Sequence, residues 1–160
     1  MDHVDAILAQ WHRERPDLDV AAMGVLGRLG RLHAHLRHAI ERTLAAHGLN
    51  ASSFDILATL RRSGAPHRLS PGDLMATAMV ASGTMTNRID QLEKVGLVER
   101  LPNPEDGRSV LVALTPAGLA RIEAAVTAHV ATQNRLLAGL SPDERAALDA
   151  ALRAALARFE

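Results

Sequence analysis

Uncharged hydrogen-bonding side chains cluster in the segment 82–95, for which Ser82 is a candidate N-cap. At 100° per residue, Met85, Ile89 and Leu92 form an apolar stripe about 60° wide, which predicts a helix packed on a core. Opposite the stripe or near the start of this helix are its candidate contact residues, Ser82, Thr84, Thr86, Asn87, Arg88 and Gln91. Most of these side chains suit the base edges and phosphates of duplex DNA.

The elements around this helix follow from periodicity and from start and stop signals, in the order α-α-α-β-α-α-β-β-α-α. Helices are predicted over about 2–12, 20–47, 50–62, 82–95 and 116–138, and two further helices begin at 70 and at 142. Extended segments are predicted over 67–69, 97–101 and 109–114. Two helices joined by a short turn and followed by a hairpin form a winged helix-turn-helix, which places its second helix in the major groove. The predicted fold class is therefore mainly α, with a winged helix-turn-helix core, a three-stranded wing sheet and long terminal helices.

The hairpin loop carries Asp106 and Arg108, which are placed to reach an adjacent groove or the phosphate backbone. The charges of the predicted recognition helix and wing do not support DNA binding. The segment 84–108 holds four basic and five acidic residues, whereas a duplex reader usually shows a basic footprint. A winged helix used for dimerisation or protein contact, without DNA binding, is the alternative.

Composition excludes several classes of protein. The 160 residues contain 18 basic and 18 acidic side chains and no cysteine, which excludes disulfide scaffolds, cysteine-ligated zinc and thiol redox sensing. Aromatic residues make up only 2% of the chain, which argues against surfaces that stack single-stranded bases. No apolar run approaches about 20 residues and no secretory leader opens the chain, so a cytoplasmic location is expected.

The sequence also lacks the usual motifs of enzymes and metal sites. It has no phosphate-binding glycine loop, nucleophile elbow or His-Glu zinc motif, so neither catalysis nor a cofactor is expected. His33 and His35 lie about 200° apart on one helix and cannot share a face, although His35 and His38 can. Solvated or packed histidines are therefore predicted rather than a metal site.

One set of motifs resembles the signature of the MarR family of bacterial repressors. The set comprises Leu-Glu-Lys-Val-Gly-Leu-Val-Glu-Arg at 92–100, Asp106-Gly107-Arg108, and Leu-Thr-Pro-Ala-Gly at 114–118. The resemblance implies a homodimeric repressor that binds pseudo-palindromic operator DNA through the 82–95 helix and the 98–114 wing. It also implies a single domain, with helical dimerisation regions at 1–47 and 115–160 and a DNA-binding core at 50–114.

The wing departs from the family pattern. Relatives commonly carry Asp-Arg-Arg where this chain has Asp106-Gly107-Arg108, so one cation is missing. Arg108 is then expected to make the minor-groove or phosphate contact alone. A charge-assisted hydrogen bond from Arg108 to Asp106 would hold it in position.

The N-terminal segment Trp-His-Arg-Glu-Arg-Pro-Asp-Leu-Asp at 11–19 is similar to the urate-responsive branch of that family. The resemblance implies a ligand site formed by Trp11, Asp55, Arg62 and Arg88. A planar anionic heterocycle such as urate or another purine suits this set, because Trp stacks, Arg forks bind oxygens and Asp orients a ring N–H. Another small organic anion or aromatic ligand is an alternative. A purely structural role is a further alternative, in which Trp11 anchors a helix on the core and Asp55 pairs with an arginine.

The spacing of these residues makes further predictions. Asp55 and Arg62 share a helix face within about 20° but lie about 10 Å apart along the axis, so separate partners are expected for them. Arg88 falls about 60° from the Met85 stripe, at the edge of the interior. A ligand that binds Arg88 would re-aim its helix and release the protein from DNA through unequal binding to two states.

Overall fold

The computed structural model describes residues 1–78, 85–104, 106 and 109–160. Within those ranges lie seven helices and three strands in the predicted order. They are α1 His3–Glu14, α2 Ala21–Ala46, α3 Ala51–Arg62, β1 Arg68–Leu69, α4 Pro71–Thr77, α5 Met85–Lys94, β2 Val98–Pro102, β3 Val110–Leu114, α6 Pro116–Leu136 and α7 Pro142–Leu156. The predicted mainly α fold with a three-stranded sheet is confirmed. None of the described helices combines the length and the apolar content needed to cross a bilayer.

Short-range caps determine where the helices begin and end. The side chains of Asn50 and Ser70 each accept a hydrogen bond from the backbone N–H three residues later. Ser141 and Glu144 form a reciprocal capping box at the start of α7. Gly48 and Gly96 end α2 and α5 with φ of 69° and 71°, a conformation that glycine adopts without a steric penalty.

The three strands form an antiparallel sheet in the order β1-β3-β2. The short strand β1 pairs Arg68 with Ala113, and the β2–β3 hairpin pairs Val98 with Leu114 through to Pro102 with Val110. This hairpin follows α5 directly. The wing is therefore attached to the C-terminal end of the predicted recognition helix.

The chain forms two compact units, Met1–Ala39 and Ile40–Glu160. The second unit contains the main core, made of Leu44, Leu49, Ile56, Leu57, Leu60, Leu74, Met85, Ile89, Leu92, Leu97, Val98, Val112, Ile122 and Ala125. The stripe of α5 that periodicity predicted to be buried is buried. Burial of that stripe fixes which side of α5 faces outward.

The first unit packs α1 against the first part of α2. Val4 is buried, and a Cβ at Gly27 would meet its Cγ1 at 3.4 Å. The Arg28 guanidinium pairs with the Asp2 carboxylate at 2.8 Å and also with Asp5. These contacts join two helices that a proline-containing turn separates in sequence.

The start of α6 is attached to the turn between α5 and β2. The Thr115 hydroxyl donates to the Gly96 carbonyl at 2.7 Å, and the Thr115 amide donates to the Leu97 carbonyl at 3.2 Å. A Cβ at Gly118 would lie 1.8 Å from the Leu97 carbonyl oxygen. The Leu-Thr-x-x-Gly motif is therefore a junction between the wing and α6, in which position 118 has no room for a side chain.

Candidate DNA interface and effector site

The outward side of α5 carries polar side chains. Asn87 and Gln91 are exposed, as their positions opposite the buried stripe predict, and Thr86 beside the stripe is exposed as well. Arg88 is half-buried at the edge of the interior, and its Nη1 donates to Gln91 Oε1 at 3.1 Å. The predicted contact residues Ser82 and Thr84 lie outside the described residues. The described part of α5 therefore presents amide and hydroxyl groups, which can read base edges.

A small hydrogen-bond network closes the base of the wing loop. The backbone N–H of Asn103 donates to the Ser109 carbonyl at 3.1 Å, and the side-chain Nδ2 of Asn103 donates to the Ser109 hydroxyl at 2.9 Å. The carbonyl of the exposed Asp106 accepts from the Ser109 amide at 2.9 Å. Arg108, the predicted wing cation, lies outside the described residues. Sequence reasoning missed Asn103 and Ser109, although both flank the turn-rich loop.

The structure shows how some of the charges in 84–108 pair. Arg100 on β2 pairs with Asp90 at 2.6 Å and also with Glu93, so one cation is shared by two of the five acids. Hydrogen bonding to Asp90 raises the pKa of the Arg100 guanidinium. Sequence reasoning assigned Arg100 no role. The signal that could have indicated one is the pair of acids three residues apart, followed by a cation on the next strand.

Asp55 and Arg62 approach each other only at the outer limit of an ion pair, and each also has another partner, as their axial separation predicts. Arg62 Nη1 lies 3.9 Å from the Asp55 carboxylate, whose side chain is only 15% exposed. Helical side chains lean toward the N-terminus, and the long arginine covers the separation that the axial distance suggested. Arg62 Nη2 also donates to the Thr77 carbonyl at 2.6 Å. Arg62 therefore links α3 to the last residue of α4.

A cleft of about 390 Å³ opens beside Arg88. Its lining residues are Glu41, Ala45, Leu49, Asn50, Ala51, Ser52 and Arg88. Asp55 and Arg62 are not among these described lining residues. The volume is within the usual range for small-molecule sites. A guanidinium, a carboxylate, an amide and a hydroxyl surrounded by small apolar residues can bind a compact polar ligand.

The remaining predicted ligand residue is Trp11, which lies on α1 in the first unit with 38% of its surface exposed. A partly covered side chain of this kind is compatible both with stacking on a ligand and with anchoring a helix on the core. Among the described residues, no three His, Asp or Glu side chains lie close enough together to hold a metal ion.

Comparison with known proteins gives consistent matches. The MarR family model matches residues 49–110. The HTH-type transcriptional regulator PecS of Dickeya dadantii is 41% identical over 157 residues, which cover 98% of this chain and 92% of that protein. The structure of a mutant MarR from E. coli complexed with operator DNA aligns with a TM-score of 0.71 and 29% identity, over 91% of this chain and 97% of that one.

A second structural relative is described together with a small molecule. BpsR of Bordetella bronchiseptica, whose DNA binding is regulated by 6-hydroxynicotinic acid, aligns with a TM-score of 0.70 and 29% identity. The alignment covers 81% of this chain and 90% of that one.

Proposed function

Because this chain belongs to the MarR family of winged-helix transcriptional regulators, we propose that it is a homodimeric repressor released from operator DNA by a small organic anion. Regulators of this family are DNA-binding proteins without enzymatic activity. The observation that carries the proposal is the outward side of α5, where Thr86, Asn87 and Gln91 stand exposed beside a wing.

The proposed DNA contacts lie on the recognition helix and on the wing. They are Ser82, Thr84, Thr86, Asn87, Arg88 and Gln91 on the helix, and Asp106 and Arg108 on the wing. A dimer that presents two such helices would read a pseudo-palindrome with half-sites about one helical turn apart. Arg108→Ala should then weaken DNA binding without unfolding the protein, because a phosphate or groove contact is lost.

Exposed apolar side chains support the proposed dimerisation regions at 1–47 and 115–160. In the first unit the exposed residues on α2 include Met23, Val25, Leu26, Leu29 and Leu32. In the second unit, Leu152 and Leu156 on α7 and the following Phe159 are exposed. Apolar clusters of this kind on a folded chain mark interaction surfaces.

The proposed effector site uses Trp11, Asp55, Arg62 and Arg88, with urate or another purine as the candidate ligand. The cleft beside Arg88, one of these four residues, has the volume of a small-molecule site. Arg62 provides a second route to the DNA-binding elements, because its bond to Thr77 joins α3 to the helix that precedes α5. A ligand that binds Arg62 or Arg88 more tightly in one conformation would shift the protein away from its DNA-bound state.

The test is an anisotropy titration of the purified protein on DNA from the region upstream of its own gene. It is run at fixed salt, because the affinity for DNA depends strongly on ionic strength, with and without urate, xanthine and 6-hydroxynicotinate. Specific binding that urate or xanthine reverses supports the whole proposal. Specific binding that neither purine reverses removes them as effectors. A protein that selects no sequence from genomic DNA would favour the protein-interaction alternative instead.

Variants separate the ligand site from the DNA interface. Trp11→Ala and Arg88→Ala should lose the response to the ligand, while Arg153→Gln on α7 serves as a matched surface control. Because Arg88→Ala also removes a proposed DNA contact, ligand binding is measured directly by calorimetry in the absence of DNA. Full ligand affinity in both variants would show that the effector site lies at other residues.

A further inference from the structure

Three charged residues form a cluster between the recognition helix and the wing, here named the Arg100 cluster. Arg100 on β2 binds Asp90 through Nη2 at 2.6 Å and Glu93 through Nη1. The backbone N–H of Arg100 also donates to Glu93 Oε1 at 3.2 Å. Three points of attachment therefore connect one residue of the wing to two residues of α5.

The cluster occupies one flank of α5. Measured from Met85 around the helix, Glu93 and Asp90 lie at about 80° and 140°, whereas Asn87 lies at about 200°. Arg88, which lines the cleft, lies at about 300° on the opposite flank. The outward side of α5 is thus bounded by the effector cleft on one flank and by the Arg100 cluster on the other.

The cluster differs from an ordinary surface ion pair. The Arg100 side chain is 29% exposed and its guanidinium contacts two carboxylates. Arg153 on α7, in contrast, is 80% exposed and, among the described residues, pairs with Asp149. An exposed single pair contributes little, whereas a fork held by two fixed acceptors is more specific in geometry.

From this geometry we infer that Arg100 is a positioning residue for sequence recognition, which fixes the rotation of α5 about its axis relative to the wing. The inference rests on the proposed DNA-reading function of α5. Two carboxylates three residues apart can both meet one guanidinium only over a narrow range of helix rotations. Fixing that rotation sets the spacing between the outward amides of α5 and the strands of the wing, so both meet the duplex in register.

The single positive charge of Arg100 also offsets part of the negative charge of Asp90 and Glu93, which repels nearby phosphates. Positioning and charge compensation make different predictions. Loss of charge compensation weakens binding to every DNA sequence, because phosphate contacts carry no sequence information. Loss of position lowers the ratio of affinity for the operator to affinity for unrelated DNA.

The experiment measures that ratio at several salt concentrations. The operator is a duplex that the wild-type protein selects from random sequences, and the reference is a shuffled duplex of the same length. The variants are Arg100→Gln, Arg100→Lys and the triple variant Asp90→Asn, Glu93→Gln, Arg100→Gln. Arg153→Gln is the control. Because it lies in the proposed dimerisation region, size-exclusion chromatography verifies that each variant keeps the oligomeric state of the wild type, and circular dichroism with thermal melting verifies that it is folded.

We expect Arg100→Gln to lower the ratio about tenfold, the size of a lost base-pair contact. Arg100→Lys should lower it as well, because a single ammonium lacks the planar fork that holds both acids. The triple variant should regain affinity for shuffled DNA but not the ratio, and Arg153→Gln should stay within about twofold of the wild type.

An unchanged ratio in Arg100→Gln, or a wild-type ratio in the triple variant, would overturn the positioning role. If Arg100→Gln does not fold, Arg100→Lys carries the test, and full retention of the ratio there has the same meaning. A wild-type protein that prefers no DNA sequence would overturn the proposed function together with this inference.

Discussion

Replacing Gly118 by alanine tests the junction that holds α6 against the wing. The added Cβ would lie 1.8 Å from the Leu97 carbonyl oxygen and 2.8 Å from the carbonyl carbon. Carbon and oxygen atoms in close contact are about 3.3 Å apart, so the two backbone segments must separate by about 1.5 Å. Both are main chain, and neither can move aside by changing a rotamer.

A displacement of that size also breaks the two hydrogen bonds that Thr115 makes to Gly96 and Leu97. Overpacking strain costs about 1–3 kcal/mol, and each lost bond costs about 1 kcal/mol. The free energy of unfolding should therefore fall by about 3–5 kcal/mol. For a chain of this length the melting temperature should fall by about 6–20 °C.

The assay is thermal unfolding followed by circular dichroism at one fixed protein concentration, because the melting temperature of a dimer depends on concentration. Gly139→Ala is the matched control, since no described atom lies within 4 Å of its Cβ position. That control should be neutral or stabilise the protein by up to about 1 kcal/mol. A Gly118→Ala protein that melts within about 2 °C of the wild type would refute the proposed role of the close approach.

Three further predictions concern stability and recognition. Burial lowers the pKa of His129, whose ring lies 4.7 Å from that of Phe54. The unfolded chain therefore binds a proton more readily than the folded protein, and the free energy of unfolding falls as the pH drops below the unfolded pKa of 6.5. In urea titrations His129→Leu should reduce this dependence of the free energy of unfolding on pH, and an unchanged dependence would contradict the assignment. Leu74→Ala, at a fully buried position, should lower the free energy of unfolding measured in urea by about 2–5 kcal/mol. A loss below about 1 kcal/mol would mean that the surrounding residues collapse into the cavity. Asn87→Ala should change the free energy of unfolding by less than about 0.5 kcal/mol. In competition binding it should reduce the discrimination between operator and mismatched DNA by about 1–3 kcal/mol. Undiminished discrimination would exclude Asn87 from base reading.

The sequence by itself determined the order and type of the elements. Helix starts such as Ser141 with Glu144, and helix ends such as Gly48 and Gly96, depend on bonds between residues at most a few positions apart. Local signals of that range can be read directly from the chain. The apolar period of α5 likewise determined its buried side, because helical geometry relates position to direction at a constant angle.

Helix geometry gave only part of the answer for Asp55 and Arg62. Their axial separation argued against a close pair, and the two charged groups approach only to 3.9 Å, but it did not identify the Thr77 carbonyl that Arg62 binds. The period of a helix gives the direction of each residue. Contact also depends on side-chain length and rotamer, which the surrounding structure selects.

Only the tertiary structure determined the contacts between the elements around the recognition helix. Arg100 with Asp90 and Glu93, Arg62 with Thr77, and Gly118 with Leu97 each join different elements. A count of charges along 84–108 records these acids and cations but not which of them neutralise each other. That pairing is set when core packing brings α5 beside β2, because the energy of a charge pair depends on the distance between its atoms in space and not on their separation along the chain.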